Sequence, residues 1–317
     1  MSSLTRNEAA QWLLAQDHYL ILTHRRPDGD TLGSAAVLCR GLRQLGKTAH
    51  ILENPEITEK YAALHQGLTL PAAESNHTVI CVDTASPGML PEAFRHLQKR
   101  IVLRIDHHGT ATSFTPLELV DPVASACGDV LYDVLCLMGA KLDKDMAEAL
   151  YTAVSTDTGC FRYANTNAHS HLVAAACYEA GADLFALNQT LFETNSLARL
   201  KLQGWLIDNA LFLQDGKVVI CALPLATEKA LGLTEDDMEN ISGFPRSIAG
   251  VQIAATLRQE ETGRIKLSVR AVPSCDAAAI CAKFGGGGHK GAAGASIDAP
   301  MDEAVKALIA ALPKIDN

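Results

Sequence analysis

The sequence predicts an α/β fold in which a mostly parallel sheet wrapped by helices is joined, through a helical connector, to a second and smaller α/β domain. Three observations lead there. From Asp17 to Gly181 short apolar runs alternate with amphipathic stretches, the rhythm of strand-helix-strand units. Polar residues able to ligate metals stand directly after those apolar runs. Beyond the connector the alternation resumes on a smaller scale. A chain of 317 residues has room for about two domains of roughly 150 residues. The boundaries fall at residues 1–186, 187–212 for the connector, and 213–317.

Taken in order, the strand candidates of the first domain are YLILT (19–23), AHILE (49–53), VICV (79–82), IVLRI (101–105) and LELV (117–120). Apolar spacing predicts helices over 33–46, 91–100, 126–140 and 143–155. The helix-like stretch Leu187–Leu211 ends near Asp215-Gly216, a hairpin-type turn, and reads as the connector. After it, residues 218–223, 247–259 and 264–272 read as strands, while AAAICAKF and MDEAVKALIAAL read as helices. No period of 20–50 residues repeats.

The charge balance, 27 basic against 36 acidic residues for a net of −9, leaves no overall positive field to hold long duplex nucleic acid or an anionic membrane. A nucleic-acid ligand must be short and held locally. No apolar stretch reaches the roughly eighteen residues of a membrane span, and MSSLTRNEAAQ lacks the apolar core of a signal peptide, so a cytoplasmic protein is expected. The nine cysteines are scattered in apolar surroundings without a CxxC pair, which suits reduced, buried thiols.

In open parallel sheets the carboxyl ends of the strands border the ligand crevice, so residues distant in sequence converge there. YLILT is followed by His24, Asp28 and Asp30, VICV by Asp83, IVLRI by Asp106, His107 and His108, and the helix ending at Ser155 by Asp157. Each alone has an ordinary reading: Asp-Gly-Asp as a turn, Asp83 as a cap, a His pair as a hydrogen-bonded surface feature. Four separate element ends delivering carboxylate or imidazole to one predicted crevice is a joint pattern that chance explains poorly.

His24, Asp28, Asp30, Asp83, His107 and Asp157 are therefore candidate ligands, enough for two divalent cations per chain sharing one carboxylate. Imidazole mixed with carboxylate, without thiolate, suits Mn²⁺ best, with Mg²⁺ as a substitute. Such a pair serves in-line displacement at phosphorus. Asp106 is placed to hold the His107 imidazole, and His108 to face substrate as proton donor or phosphate contact. Asp83, Asp106, His107 and His108 thus form the expected catalytic group.

A second concentration, Gly285-Gly286-Gly287-Gly288-His289-Lys290-Gly291-Ala292-Ala293-Gly294, reads as an ordered loop whose backbone N–H groups approach an anion closely. Its bland alternative is a flexible linker. Gly286, Gly287, Gly288 and His289 are the expected substrate contacts there, and Arg270, in a predicted strand, a further one.

HRRPDGDTLGS (24–34), CVDT (81–84), DHHG (106–109) and STDTG (155–159) resemble, in order and spacing, the four motifs of the DHH phosphoesterases. FGGGGHKGAAG (284–294) resembles the signature of their DHH-associated C-terminal domain. The resemblance spans nearly the whole chain and is closest to the small oligoribonuclease branch that also dephosphorylates 3′-phosphoadenosine 5′-phosphate. It implies that His24, Asp28 and Asp83 hold one Mn²⁺, and Asp30, Asp83, His107 and Asp157 the other. It also implies that His108 sits beside the reacting phosphate, while Arg270 and His289 contact substrate. Ala271 stands where the family often has Ser.

The implied activity is Mn-dependent hydrolysis of very short RNA to mononucleotides and removal of phosphate from 3′-phosphoadenosine 5′-phosphate, in a cleft between the domains. The aromatic content of 5% leaves few side chains for base stacking. Alternatives are a cyclic or linear dinucleotide phosphodiesterase, an inorganic pyrophosphatase or exopolyphosphatase, and a non-catalytic nucleotide sensor. The glycine-rich signature weighs against the second and the complete ligand set against the third. A homodimer is a further expectation from the resemblance.

Overall fold

A computed structural model describes residues 2–109 and 112–315, and divides the chain into one unit ending at Thr194 and a second beginning at Asn195. The first unit runs β1 (Ser2–Ser3), α1 (Arg6–Ala15), β2 (Tyr19–Leu22), α2 (Gly29–Gln44), β3 (Ala49–Leu52), α3 (Glu59–Ala62) and β4 (Thr69–Leu70). It continues with β5 (Thr78–Val82), β6 (Ile101–Asp106), β7 (Leu117–Val120), α4 (Cys127–Met138), α5 (Lys144–Asp157), α6 (Ala168–Glu179) and α7 (Leu184–Asn188). Its strands form a seven-stranded sheet in the order β1-β7-β6-β5-β2-β3-β4, every pairing parallel.

A parallel sheet is covered on both faces, and its strands read as continuous apolar runs. Ile21, Ile80, Val82, Leu103 and Ile105 pack on one face with α2, α4 and α5, while Leu20, Leu22, Cys81, Leu90, Phe94 and Ile101 form a smaller cluster on the other. Register between β5 and β6 shifts at Val79/Ile80, so β6 carries one extra residue at Val102. This bulge turns Ile101 and Leu103 to opposite faces and sets Arg104 and Asp106 on the side of the smaller cluster. α2 packs closely on α5 because Gly33 has no side chain: a Cβ there would lie 2.3 Å from the Ala149 carbonyl oxygen.

Several boundaries differ from the sequence expectation. α2 begins at Gly29 rather than Gly33, because the Asp28 carboxylate accepts hydrogen bonds from the Asp30 and Thr31 N–H groups and caps the helix. Asp30 is consequently a first-turn residue, and Asp157 is the last residue of α5 rather than following it. Residues 92–100 form a 3₁₀ helix instead of an α-helix. β1, β4, α1 and α6 were not expected; α1 is announced by a Thr5–Glu8 capping box that a periodicity reading passes over. The stretch 187–211 is not one helix. α7 passes into a π-helical turn at Gln189–Glu193, the chain extends at Thr194, and Ser196 caps a fresh helix by accepting from the Arg199 N–H.

The second unit runs α8 (Leu197–Asp208), β8 (Leu211–Leu213), β9 (Val218–Leu223), α9 (Leu225–Leu231), α10 (Glu235–Met238), β10 (Ile253–Gln259) and β11 (Ile265–Ala271). It ends with α11 (Ala277–Ala282), β12 (Gly287–His289), β13 (Ala292–Ile297) and α12 (Met301–Ala311). Its six strands are ordered β12-β13-β11-β10-β9-β8, with only β9 and β10 parallel. The strand expected over 247–259 starts at Ile253, since 241–247 is a 3₁₀ helix containing Pro245 and Gly250 takes a positive φ. α11 and α12 pack with the apolar faces of β10, β11 and β13.

Candidate metal centre

Apolar β2, β5 and β6 end within the same layer of the first unit, and the helix termini of α2 and α5 lie beside them. His24 follows β2, Asp83 follows β5, and Asp106, His107 and His108 close β6. Asp83 takes φ +51°, a conformation few non-glycine residues adopt, while its N–H still donates to the Ile105 carbonyl at 2.9 Å. The strand pairing thus holds a strained turn that aims the carboxylate back at the sheet end.

The imidazoles are oriented from behind. His24 Nδ1 lies 2.8 Å from the Arg25 carbonyl oxygen and His107 Nδ1 3.3 Å from that of Ala124. Donation from Nδ1 leaves each Nε2 lone pair facing the carboxylates. His24 Nε2 is 3.6 Å from Asp28 Oδ1 and 3.4 Å from Asp83 Oδ2. His107 Nε2 is 3.7 Å from Asp30 Oδ2, 3.6 Å from Asp83 Oδ1 and 3.6 Å from Asp157 Oδ2. These separations exceed hydrogen-bond length. They lie at or a few tenths of an ångström beyond the spacing of two ligands about 2.1 Å from one ion, which stand about 3–3.5 Å apart.

Three groups that could hold a cation result: His24, Asp28 and Asp83; Asp30, His107 and Asp157; and Asp83, His107 and His108. Asp83 is shared, one oxygen toward each imidazole, and its Oδ1 is buried without a hydrogen-bond partner among the described residues. An orphaned carboxylate oxygen of that kind costs free energy unless a cation sits against it. All six residues singled out as ligands in the sequence are brought together.

Electrostatics says the same. Burial, joined by the charges of Asp83, Asp157 and Asp28, pushes the Asp30 carboxyl well above its usual range. Burial also carries Asp157 up to about 7, with Asp83 and Asp28 adding to the rise. Burial opposes protonation of His24, but Asp28 and Asp83 overcome it and raise the imidazole well above its ordinary value. Burial would likewise raise Asp28; hydrogen bonding and charge from His24, with the Thr31 N–H, bring it down to about 2 instead. Carboxylates this crowded hold protons that a divalent cation would displace.

Asp106 and His108 form a second layer. His108 Nδ1 is 2.8 Å from Asp106 Oδ1, which also accepts the His107 N–H at 2.9 Å. The expectation that Asp106 holds the His107 ring is corrected: the ring it holds is that of His108, because the His107 Nδ1 already faces Ala124. Burial disfavours charge on His108, yet Asp106, followed by Asp83, raises it to about 9.

Supporting residues were missed in the sequence. Asp30 accepts from the Cys127 and Gly128 N–H groups at 2.7 and 3.1 Å and from Ser34 Oγ at 3.0 Å, so the N-terminus of α4 grips it. Asn54 Nδ2 ties the His24 carbonyl at 2.9 Å, and Asn165 Nδ2 reaches the Asp157 carbonyl at 3.1 Å. Ser34 stood within the motif already noted; the asparagines carry no sequence signal of their own.

In the second unit the glycine run is a β-hairpin. β12 pairs with β13, setting Gly287 opposite Gly294 and His289 opposite Ala292, and Ala292 in turn opposite Arg270 of β11. Arg270 and His289 therefore flank one small residue in a single cross-strand row on one face. A Cβ at Gly286 would lie 2.2 Å from the Gly294 carbonyl oxygen, whereas none within 4 Å would meet one at Gly287. Gly287, Gly288 and His289 are exposed.

Residues 18–154 match the DHH family, N-terminal domain, and residues 215–315 match the DHHA1 domain. The "Bifunctional oligoribonuclease and PAP phosphatase NrnA" of Thermus thermophilus is 33% identical over 92% of this chain and 88% of its own. The protein of the same name from Bacillus subtilis is 26% identical over 92% of this chain and 93% of its own. Among solved structures, an exopolyphosphatase-related protein from Bacteroides fragilis superposes with a TM-score of 0.87 at 23% identity, covering 96% of this chain and 95% of its own, a likeness of fold. No helix of the described residues is long and apolar enough to cross a membrane.

Proposed function

Since this chain belongs to the DHH phosphoesterase family, a DHH domain followed by a DHHA1 domain, and is a hydrolase of phosphate esters, we propose that it is manganese-dependent and cleaves very short oligoribonucleotides to mononucleotides. It also removes phosphate from 3′-phosphoadenosine 5′-phosphate. The observation that carries the reading is the Asp83 carboxylate, whose two oxygens face His24 and His107 in separate ligand groups.

The residues present fit two cations. His24, Asp28 and Asp83 would hold one; Asp30, Asp83, His107 and Asp157 the other. Imidazole with carboxylate favours Mn²⁺ over the all-oxygen shell of Mg²⁺. Bound there, the ions supply a water acidic enough to attack near neutral pH and polarise the phosphoryl oxygens. The chain's own part is orientation and proton handling. With its Nδ1 bound to Asp106, His108 presents Nε2 as a proton donor to the leaving oxygen. Arg270 and His289, in one cross-strand row, contact substrate phosphate beside the exposed hairpin backbone at Gly287 and Gly288, while the Gly286 N–H, expected to contact substrate, is instead given to the Cys281 carbonyl at 3.0 Å.

Substrate class rests on the names of the relatives, which act on oligoribonucleotides and PAP, and on the net charge of −9, which gives long polyanions no extended track. The test is mononucleotide release from a diribonucleotide, and phosphate release from 3′-phosphoadenosine 5′-phosphate, with Mn²⁺. Asp83→Ala and His107→Ala should abolish both; turnover equal to that of the unaltered protein would refute the assignment.

A further inference from the structure

Arg104 is a full-length cationic side chain in the interior of a sheet strand, 1% exposed. Burying a charge costs several kcal/mol, and an apolar residue of similar volume often serves stability as well. What an apolar residue cannot do is what this guanidinium does. Nη1 donates toward the carbonyls of Thr84, Ala85 and Thr112 at 3.3, 3.1 and 3.3 Å, and Nη2 lies 3.2 Å from Glu118 Oε2. The Phe114 ring covers its flat face, with Cζ 5.0 Å from the centroid.

The anchoring partners come from three places: the turn after Asp83, the segment after the His pair, and β7. Glu118 is itself fixed by Ser113 Oγ and by the Phe114 and Thr115 N–H groups. A fork held on so many sides has one orientation. In that orientation Nη1 stands 3.6 Å from Asp106 Oδ2, an oxygen with no hydrogen-bond partner of its own among the described residues. The other oxygen of the same carboxylate holds His108 Nδ1 and the His107 N–H. Two residues apart in the regular part of β6, beyond the bulge at Val102, Arg104 and Asp106 lie on one face.

We propose that Arg104 is a positioning residue for His108. The anchored guanidinium fixes the rotation of the Asp106 carboxylate, and that carboxylate fixes the His108 ring. The catalytic arm of this proposal rests on the reading of His108 as a proton donor; the structural arm does not.

The two arms are tested separately in Arg104→Met and Arg104→Lys. Lysine keeps the charge beside Glu118 but cannot span three carbonyls and a carboxylate, so it serves as the folded variant if the methionine protein does not accumulate. In metal-free protein, nitrogen-15 NMR of the histidine rings should show the His108 Nδ1–H signature of the Asp106 hydrogen bond shifted or lost in both variants. On a diribonucleotide with Mn²⁺, kcat should fall about 10- to 100-fold, with KM changed by less than about threefold. In a His108→Ala background the Arg104 substitutions should add almost nothing, because coupled residues are non-additive. An unchanged His108 resonance overturns the positioning role whatever the activity. A changed resonance with losses that add in full to those of His108→Ala overturns the route through His108 while leaving the function itself untouched.

Discussion

The sheet end of the first unit and the hairpin of the second are both rich in functional residue types, but they are built in opposite ways. Around Asp83, each imidazole has a partner behind it, Asp30 is held by three donors, and His24, Asp30, Asp83 and Asp106 are buried. Around Gly287, the backbone is exposed and the row from Arg270 to His289 is spaced by one alanine. The difference teaches where precision is needed. Under the proposed function, chemistry at phosphorus, which depends on close placement, falls to the rigid layer, and contact with substrate phosphate would fall to the more open hairpin.

Breaking the rigid layer should have the largest consequence. Asp30→Asn keeps the shape but removes one charge and turns an NH2 toward a donor that the carboxylate accepts from, and kcat should fall on the order of 10³-fold; a chelator added to the unaltered protein should remove activity as completely. Steady-state kinetics checks both. Loss at the hairpin should instead appear in binding. Arg270→Ala is expected to raise KM about 10-fold or more, the worth of one charge-assisted contact, while kcat stays within about threefold.

Glycine substitutions sharpen the contrast further. Gly286→Ala forces β12 away from Gly294 and should cost about 1–3 kcal/mol and raise KM a few-fold, while Gly287→Ala, which meets nothing within 4 Å, should leave the unfolding midpoint unchanged. Thermal unfolding with matched kinetics reads the pair.

The smallest effect is a slope with pH. Asp30 and Asp157 have carboxyls raised above their unfolded values, and His24 and His108 have raised imidazoles, so the folded metal-free protein binds more protons than the unfolded one. Stability therefore falls as pH rises. For Asp157 the loss runs from about 4 to about 7, and for His108 from about 6.5 to about 9. Asp28 and Asp106 are lowered and act only at acid pH, whereas His65, which burial brings down to about 4, opposes the decline up to about pH 6.5. The unfolding midpoint of metal-free protein should decline between about pH 6.5 and 9, and added Mn²⁺ should flatten the decline.

The sequence displayed the parallel sheet and the six ligand positions because strand ends in an α/β sheet point functional groups one way, and the groups were of unmistakable type. It did not display what depends on geometry across strands. Nothing local distinguishes the ring that Asp106 holds, since that turns on the Ala124 carbonyl 17 residues beyond His107. Arg104 reads as a polar interruption in IVLRI until the Val102 bulge is known. The connector read as one helix because Leu187–Leu211 is apolar at helical spacing, yet Ser196 caps a new start within it.

Calorimetric titration of metal-free protein with Mn²⁺ tests the shared carboxylate most directly. The account expects two ions per chain, with Asp83→Asn weakening both, His24→Ala weakening one and His107→Ala the other. Two tight ions in Asp83→Asn, or a single ion in the unaltered protein, would contradict it.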